Sequence, residues 1–288
     1  MSDEVTDPTV DRCLSLIDSD VKGLLPADDR GLAYGDGLFE TVLVHAGQPV
    51  WWAEHMQRLR GGAARLGIEA PDDALWLADA NRLIDAHEGQ KSLLLKLILT
   101  RGSGSRGYSP ASALVPRRIV QCGPAPVADP RWRRDGIRVR LCDLRLSSQP
   151  RLAGIKHLNR LEQVLARAEW SDPDVAEGLL LDADENVVCA TAASIFLVKH
   201  NELLTPSVER CGVAGVCRAQ LLSGIGARVA SLSSSDLIAA EEVFVCSSVR
   251  GILPVTALGD LRWPIGPVTR MCMVWLASQI PAFADDSP

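Results

Sequence analysis

Apolar positions along the chain follow two rhythms: short runs suited to strands, and stretches in which apolar residues recur every three or four positions. Residues 38 to 52 (LFETVLVHAGQPVWW) read as two strands joined by a turn at Ala46-Gly47-Gln48. Met56, Leu59, Ala63 and Leu66 then mark one face of a helix that Gly67 should end. Lys91 to Thr100 is a continuous apolar run suited to a buried strand, and Ile119 to Cys122 is another short strand. Between them Arg101 to Tyr108 (RGSGSRGY) carries three glycines within seven residues, which predicts a loop.

From Gly123 to Gly136 the composition shifts to GPAPVADPRWRRDG, whose prolines and glycines mark a linker. Beyond it the runs Ile137 to Cys142, Gly178 to Asp182, Ile195 to Lys199 and Val243 to Cys246 predict strands interleaved with helices. Leu158, Leu161, Leu165 and Ala168 give one helix an apolar stripe, and Asp236 is the expected N-cap of another running through Ala240. The pattern predicts an α/β (or α+β) fold in two domains, with a cleft between them. Residues 1–122 form the smaller domain, 123–136 the linker and 137–288 the larger domain.

Composition narrows the function classes. A chain of 288 residues, 47% hydrophobic and 23% charged, has the balance of a soluble globular protein. A formal charge of −6 argues against a nucleic-acid surface, though small anions bind to local clusters whatever the net charge. The eight cysteines form no CxxC pair and no metal-ligand spacing, so they read as buried small hydrophobes in a reducing compartment, with no metal expected. The acidic, polar N-terminus and the lack of any membrane-length apolar run predict a cytoplasmic protein with no membrane partner.

Only five lysines are present, and Lys156 differs from the other four. It lies in Ala153-Gly-Ile-Lys-His-Leu-Asn-Arg160, after a polar, proline-containing loop and just ahead of an amphipathic helix. An amine held in a cleft there would lose hydration, fall in pKa and become a Schiff-base nucleophile. On spacing alone the simpler reading is a surface lysine near a helix start.

Several segments together resemble one family. Gly154-Ile-Lys-His-Leu-Asn-Arg-Leu161 is similar to the lysine segment of bacterial aminodeoxychorismate lyases, which belong to the fold-type IV pyridoxal-phosphate enzymes alongside branched-chain and D-amino-acid aminotransferases. Asp29 to Thr41 (DRGLAYGDGLFET) resembles the family's N-terminal signature, Glu54 to Leu59 its phosphate-arginine helix, and Thr100 to Ser109 the lyase glycine loop. Cys211-Gly-Val-Ala-Gly-Val-Cys-Arg218 resembles the phosphate-binding turn before a helix.

The resemblance implies pyridoxal 5'-phosphate as cofactor and Lys156 as the catalytic residue that carries it. It implies Arg58, the backbone of Gly215, Val216 and Cys217, and the hydroxyls of Ser247 and Ser248 as phosphate partners, chemistry that suits a helix N-terminus. It places Arg101, Arg106, Tyr108 and Asn159 on the side of a substrate bearing carboxylates, a solvated basic loop being the alternative for the loop residues. A homodimer is implied as well, in which Trp51 and Trp52 face either a partner or the core.

One position departs from the family. Val188-Cys-Ala-Thr-Ala-Ala-Ser-Ile-Phe196 sets Cys189 where a glutamate holds the cofactor's ring nitrogen, and Ser194 where an asparagine is usual. A neutral thiol is a poor partner for a pyridinium, whereas a thiolate would serve; Glu185, in the preceding turn, is too far back. Leu161 replaces the tyrosine common in aminotransferases of this fold. Both features lean towards elimination and away from transamination. The expected function is 4-amino-4-deoxychorismate lyase, with an aminotransferase or a cofactor-less binding protein as rivals.

Overall fold

The computed structural model describes residues 13–110, 115–126 and 129–284; the first twelve residues and part of the linker lie outside them. The chain folds as a mixed α/β protein built on two sheets.

The first sheet comprises β1 (Leu14–Ile17), β2 (Gly37–His45), β3 (Gln48–Pro49), β4 (Ser92–Thr100) and β5 (Arg117–Pro124), in the antiparallel order β1-β5-β4-β2-β3. The hairpin from β2 to β3 turns at Ala46 and Gly47, both at positive φ, as a two-residue connection requires. Helices α1 (Arg30–Tyr34), α2 (Trp52–Leu66) and α3 (Asp73–Asp85) accompany it. Met56, Leu59 and Ala63 of α2 pack on Leu38, Val42 and Leu95, and Gly67 closes the helix in the left-handed conformation. The run at β4 is not buried throughout. Leu93, Leu95, Leu97 and Leu99 are buried, whereas Lys96 on the opposite face is exposed and Leu94 and Ile98 are half-buried.

After α4 (Arg131–Arg134) come β6 (Ile137–Leu146), α5 (Leu161–Arg167), β7 (Val175–Asp182), β8 (Val187–Ala190), β9 (Ser194–Lys199) and β10 (Glu202–Pro206). They are followed by α6 (Val216–Gly224), β11 (Arg228–Ala230), α7 (Ser234–Ile238), β12 (Glu242–Ser247), β13 (Gly251–Leu258), β14 (Leu261–Arg262) and α8 (Pro267–Gln279). The second sheet runs β11-β10-β9-β12-β13-β6-β7-β8, with β14 on β13; β6 pairs parallel with both β13 and β7. A shared core joins the sheets: Leu43 and Val50 pack with Phe196, Cys217, Phe244 and Leu276. Trp51 joins this core against Phe283, and Trp52 packs on the first core.

Two sequence expectations change here. Ser233, not Asp236, caps α7; Asp236 is the third helical residue, and its carboxylate closes a capping box onto the Ser233 amide. The apolar stripe on α5 faces outward. Leu161, Val164 and Leu165 are 74%, 59% and 61% exposed, and only Ala166 of this seven-residue helix is buried. Periodicity identified an apolar face, but none of the described residues covers it. Among the described residues no helix is long and apolar enough to cross a membrane.

Candidate active site

The segment bearing Lys156 is strung between β2 and the turn that precedes α6 by backbone bonds. Phe39 N donates to Lys156 O and Leu158 N to Gly37 O, each at 3.0 Å, which stitches the segment to β2. On its other side Gly154 N donates to Gly212 O (3.0 Å) and Ala214 N to Gly154 O (3.1 Å). Gly154 adopts φ +78°, which lets the chain make both sets of contacts within five residues. Lys156 Nζ lies 4.2 Å from the centre of the Phe39 ring and makes no hydrogen bond or ion pair among the described residues. Burial strips its water and the Arg58 charge adds to the penalty, so its pKa falls to about 8 even though Glu40 pulls the other way. Lys96 Nζ stands 5.7 Å from the same ring.

The turn bonded to Gly154 leads directly into α6. Gly215 is the N-cap, no side chain caps the helix, and the first-turn amides of Val216 and Cys217 follow. Gly212 sits at φ +86°, and a Cβ there would lie 2.9 Å from Val188. A Cβ on Gly215 would lie 2.6 Å from Ser194 Oγ. Arg58 reaches this helix end from α2, its Nη1 donating to Ala214 O at 2.9 Å. Ser248 Oγ donates to Thr41 O (3.4 Å) on β2, two residues from Phe39, while Ser247 Oγ accepts from Arg250 N (3.1 Å). Lys156, Arg58, the uncapped start of α6 and Ser248 thus lie along one stretch between β2 and α6, with a desolvated amine near a guanidinium and free-standing helix amides.

Glu40, absent from the sequence-based site, organises this cluster. Arg58 donates from Nε to Oε1 (2.8 Å) and from Nη2 to Oε2 (2.5 Å), and His55 Nδ1 lies 2.7 Å from Oε2. Although burial alone would raise its pKa, the Arg58 charge and these bonds hold Glu40 at about 2. The signal was available: Leu38, Glu40 and Val42 share the buried face of β2, where a carboxylate requires partners.

The loop residues divide. Arg101 is spent inside the protein: Nε donates to Asp36 (2.7 Å), and Nη1 and Nη2 donate to the carbonyls of Gly67 and Leu66, each at 2.8 Å. It braces the end of α2, which corrects its expected place on the substrate side. Arg106 and Tyr108 are exposed on the glycine loop, which Arg30 pins by donating to Gly107 O (2.9 Å) and Tyr108 O (3.1 Å). Asn159 Nδ2 donates to Gly35 O (3.0 Å) and ties the lysine segment to the end of α1.

Cys189 lies on β8, in a core with Leu180, Val188 and Cys211. Burial, with Cys211 and Glu177 adding, pushes its thiol up to about 12, so it stays protonated at neutral pH. Glu185 points away, ion-paired at the surface with Arg145 (2.7 Å). Seven of the eight cysteines are buried, Cys13 being the exception. Among the described residues no group of His, Cys, Asp or Glu side chains could hold a metal ion.

The amino-transferase class IV profile matches residues 37–258. An aminodeoxychorismate lyase from Vibrio harveyi is 34% identical over 255 residues, covering 85% of this chain and 93% of that protein. The crystal structure of 4-amino-4-deoxychorismate lyase from Pseudomonas aeruginosa superposes with a TM-score of 0.87 at 45% identity, covering 93% of this chain and 99% of that one. A fold IV transaminase from Curtobacterium pusillum follows at TM-score 0.75 and 25% identity, with 89% of each chain covered.

Proposed function

The chain belongs to the amino-transferase class IV family, and from that premise we propose that it is a pyridoxal-phosphate-dependent 4-amino-4-deoxychorismate lyase, yielding 4-aminobenzoate and pyruvate for folate biosynthesis. The observation that carries this reading is Lys156, a half-buried, desolvated amine without a polar partner among the described residues, next to an uncapped helix end that Arg58 also reaches. The donor set fits the cofactor. The α6 amides and a guanidinium suit a phosphate dianion, the glycines at 212 and 215 keep the turn free of side chains, and the desolvated amine suits an aldehyde.

When bound, the cofactor supplies that aldehyde and a conjugated ring able to accept an electron pair. Lys156 would hold it, and the lysine's amine, once free, is placed to take the proton from the substrate carbon bearing nitrogen. A pKa of about 8 leaves enough neutral amine near neutral pH for both tasks. Arg58, Gly215, Val216, Cys217 and the hydroxyls of Ser247 and Ser248 anchor the phosphate. Arg106 and Tyr108 on the exposed loop, with Lys96 and Asn159, serve the carboxylate-bearing substrate. Expulsion of the enolpyruvyl group leaves an aromatic ring, which makes the step effectively irreversible.

We assign the working form as a cytoplasmic homodimer, a reading supported by the uncovered Leu161, Val164 and Leu165 on α5. A domain boundary within 123–136 accords with the first sheet ending at Pro124 and the second beginning at Ile137. The test of function is incubation with pyridoxal phosphate and aminodeoxychorismate. 4-Aminobenzoate and pyruvate should form in equal amounts with the wild type and not with Lys156→Ala. Transfer from an amino acid to 2-oxoglutarate without 4-aminobenzoate would establish the aminotransferase instead.

A further inference from the structure

His55 is fully buried, yet its Nε2 has no hydrogen-bond partner among the described residues. Its polar contact is Nδ1 to Glu40 Oε2 at 2.7 Å. His55 lies three residues before Arg58 on α2, so both side chains leave the same face of the helix and meet one carboxylate. Glu40 is ionised and burial lowers the His55 pKa, so the imidazole is neutral, its hydrogen lies on Nδ1 towards Glu40, and Nε2 is left as a bare lone pair. An apolar side chain of similar volume would avoid burying that lone pair. Packing therefore does not call for histidine here; the bond to Glu40 does.

We propose that His55 is a positioning residue for the anion that Arg58 grips: through Glu40 it fixes the guanidinium and so sets the affinity for the cofactor's phosphate. The inference rests on the pyridoxal-phosphate reading above. Glu40 takes the Nε and Nη2 edge of Arg58, Ala214 O takes a hydrogen of Nη1, and two of the five guanidinium N–H bonds remain for a ligand. Their aim depends on the tilt of the Glu40 carboxylate, and His55 is the donor that stops this carboxylate from pivoting with the arginine. No hydrogen bond joins the device to Lys156, which feels it only through the charges of Arg58 and Glu40, so the larger effect should fall at the phosphate end.

The test is equilibrium binding of pyridoxal phosphate and of pyridoxal to apoprotein, read from the visible absorbance of the lysine-bound form, with apoprotein thermal unfolding alongside. His55→Leu should weaken pyridoxal phosphate roughly 10-fold, by analogy with the loss of an outer-shell partner behind a bound ion, and leave pyridoxal unchanged. His55→Asn, whose amide nitrogen reaches the Nδ1 place, should retain more affinity than His55→Gln, whose amide reaches the Nε2 place. Unchanged phosphate-form affinity in His55→Leu, or equal losses for both aldehydes, would overturn the proposal. If the leucine variant does not fold, equal affinities for Asn and Gln overturn it. Wild-type apoprotein that binds neither aldehyde would overturn the lyase reading itself, an outcome distinct from the others.

Discussion

Lys156 Nζ rests 4.2 Å above the centre of the Phe39 ring, on the strand that also carries Glu40. The ring offers a weak attraction to the ammonium while burial and Arg58 hold its pKa at about 8. Capture of pyridoxal phosphate by the apoprotein should therefore speed up as pH rises through about 8 and level off above it. Phe39→Leu removes the attraction to the charged form, so its midpoint should lie lower. Stopped-flow absorbance across pH 6–10 checks both, and a midpoint near the ordinary lysine value of 10.5 would refute the desolvated amine.

The same lysine should cost the apoprotein stability. Between about 8 and 10.5 the unfolded chain binds a proton that the folded chain does not, so stability rises with pH across that window and is lowest, and flat, below it. Lys156→Met should accordingly stabilise the apoprotein at pH 7, by at most about 3 kcal/mol, while abolishing turnover. Urea unfolding at pH 7 and pH 10.5 reads the difference, which should shrink at the higher pH.

Glu40 works in the opposite sense. Its folded pKa of about 2 lies below the ordinary 4.5, so its stabilisation is present above 4.5 and is lost as pH falls towards 2. Glu40→Gln breaks a largely buried pair and should cost about 3 kcal/mol. Its acid-unfolding profile should also be flatter between pH 4.5 and 2 than that of the wild type. An unchanged acid profile would mean that Arg58 and Glu40 are not coupled in solution.

Strand runs and the helix over 52–66 were legible because burial of one face imposes a period on the sequence, whereas the lysine segment was legible only through its resemblance to a family. What periodicity hid was who covers each face. Leu161 and Leu165 look like core positions by spacing yet face outward, and the apolar run at β4 conceals a second face on which Lys96 is exposed. Arg101 could not be told from a ligand-binding arginine, because its acceptors Gly67 O and Leu66 O are backbone atoms 34 and 35 residues away. Glu40 stood in plain view at a core parity of β2, but helical spacing puts only His55 and Arg58 on one face and does not say that this face meets Glu40.

Gly215 has an ordinary backbone conformation (φ −65°), so alanine there is not strained; its problem is Ser194 Oγ, 2.6 Å from the position of the added Cβ. Gly215→Ala should cost about 1–3 kcal/mol of stability by overpacking and weaken phosphate binding by shifting the first turn of α6. Adding Ser194→Gly should recover much of the loss, a coupling that a double-mutant cycle on thermal stability and cofactor affinity would measure. Purely additive effects would place the serine away from the helix end.

Cys189 offers the sharpest separation between elimination and transamination. Its thiol is pushed up to about 12 by burial and by Cys211 and Glu177, and a neutral thiol is a poor partner for a protonated ring nitrogen. Elimination tolerates this because loss of enolpyruvate and formation of an aromatic ring drain the electron pair, whereas transamination must store that pair on the cofactor. Cys189→Glu should therefore raise transamination of D- or branched-chain amino acids while leaving lyase turnover little changed. The variant should also lose about 1–3 kcal/mol of apoprotein stability, because the new carboxyl enters a core of Leu180, Val188 and Cys211. Parallel assays of 4-aminobenzoate release and of glutamate formation from 2-oxoglutarate decide the matter. A large gain in lyase rate would show that the cysteine is a defect of this site and not an accommodation to its reaction.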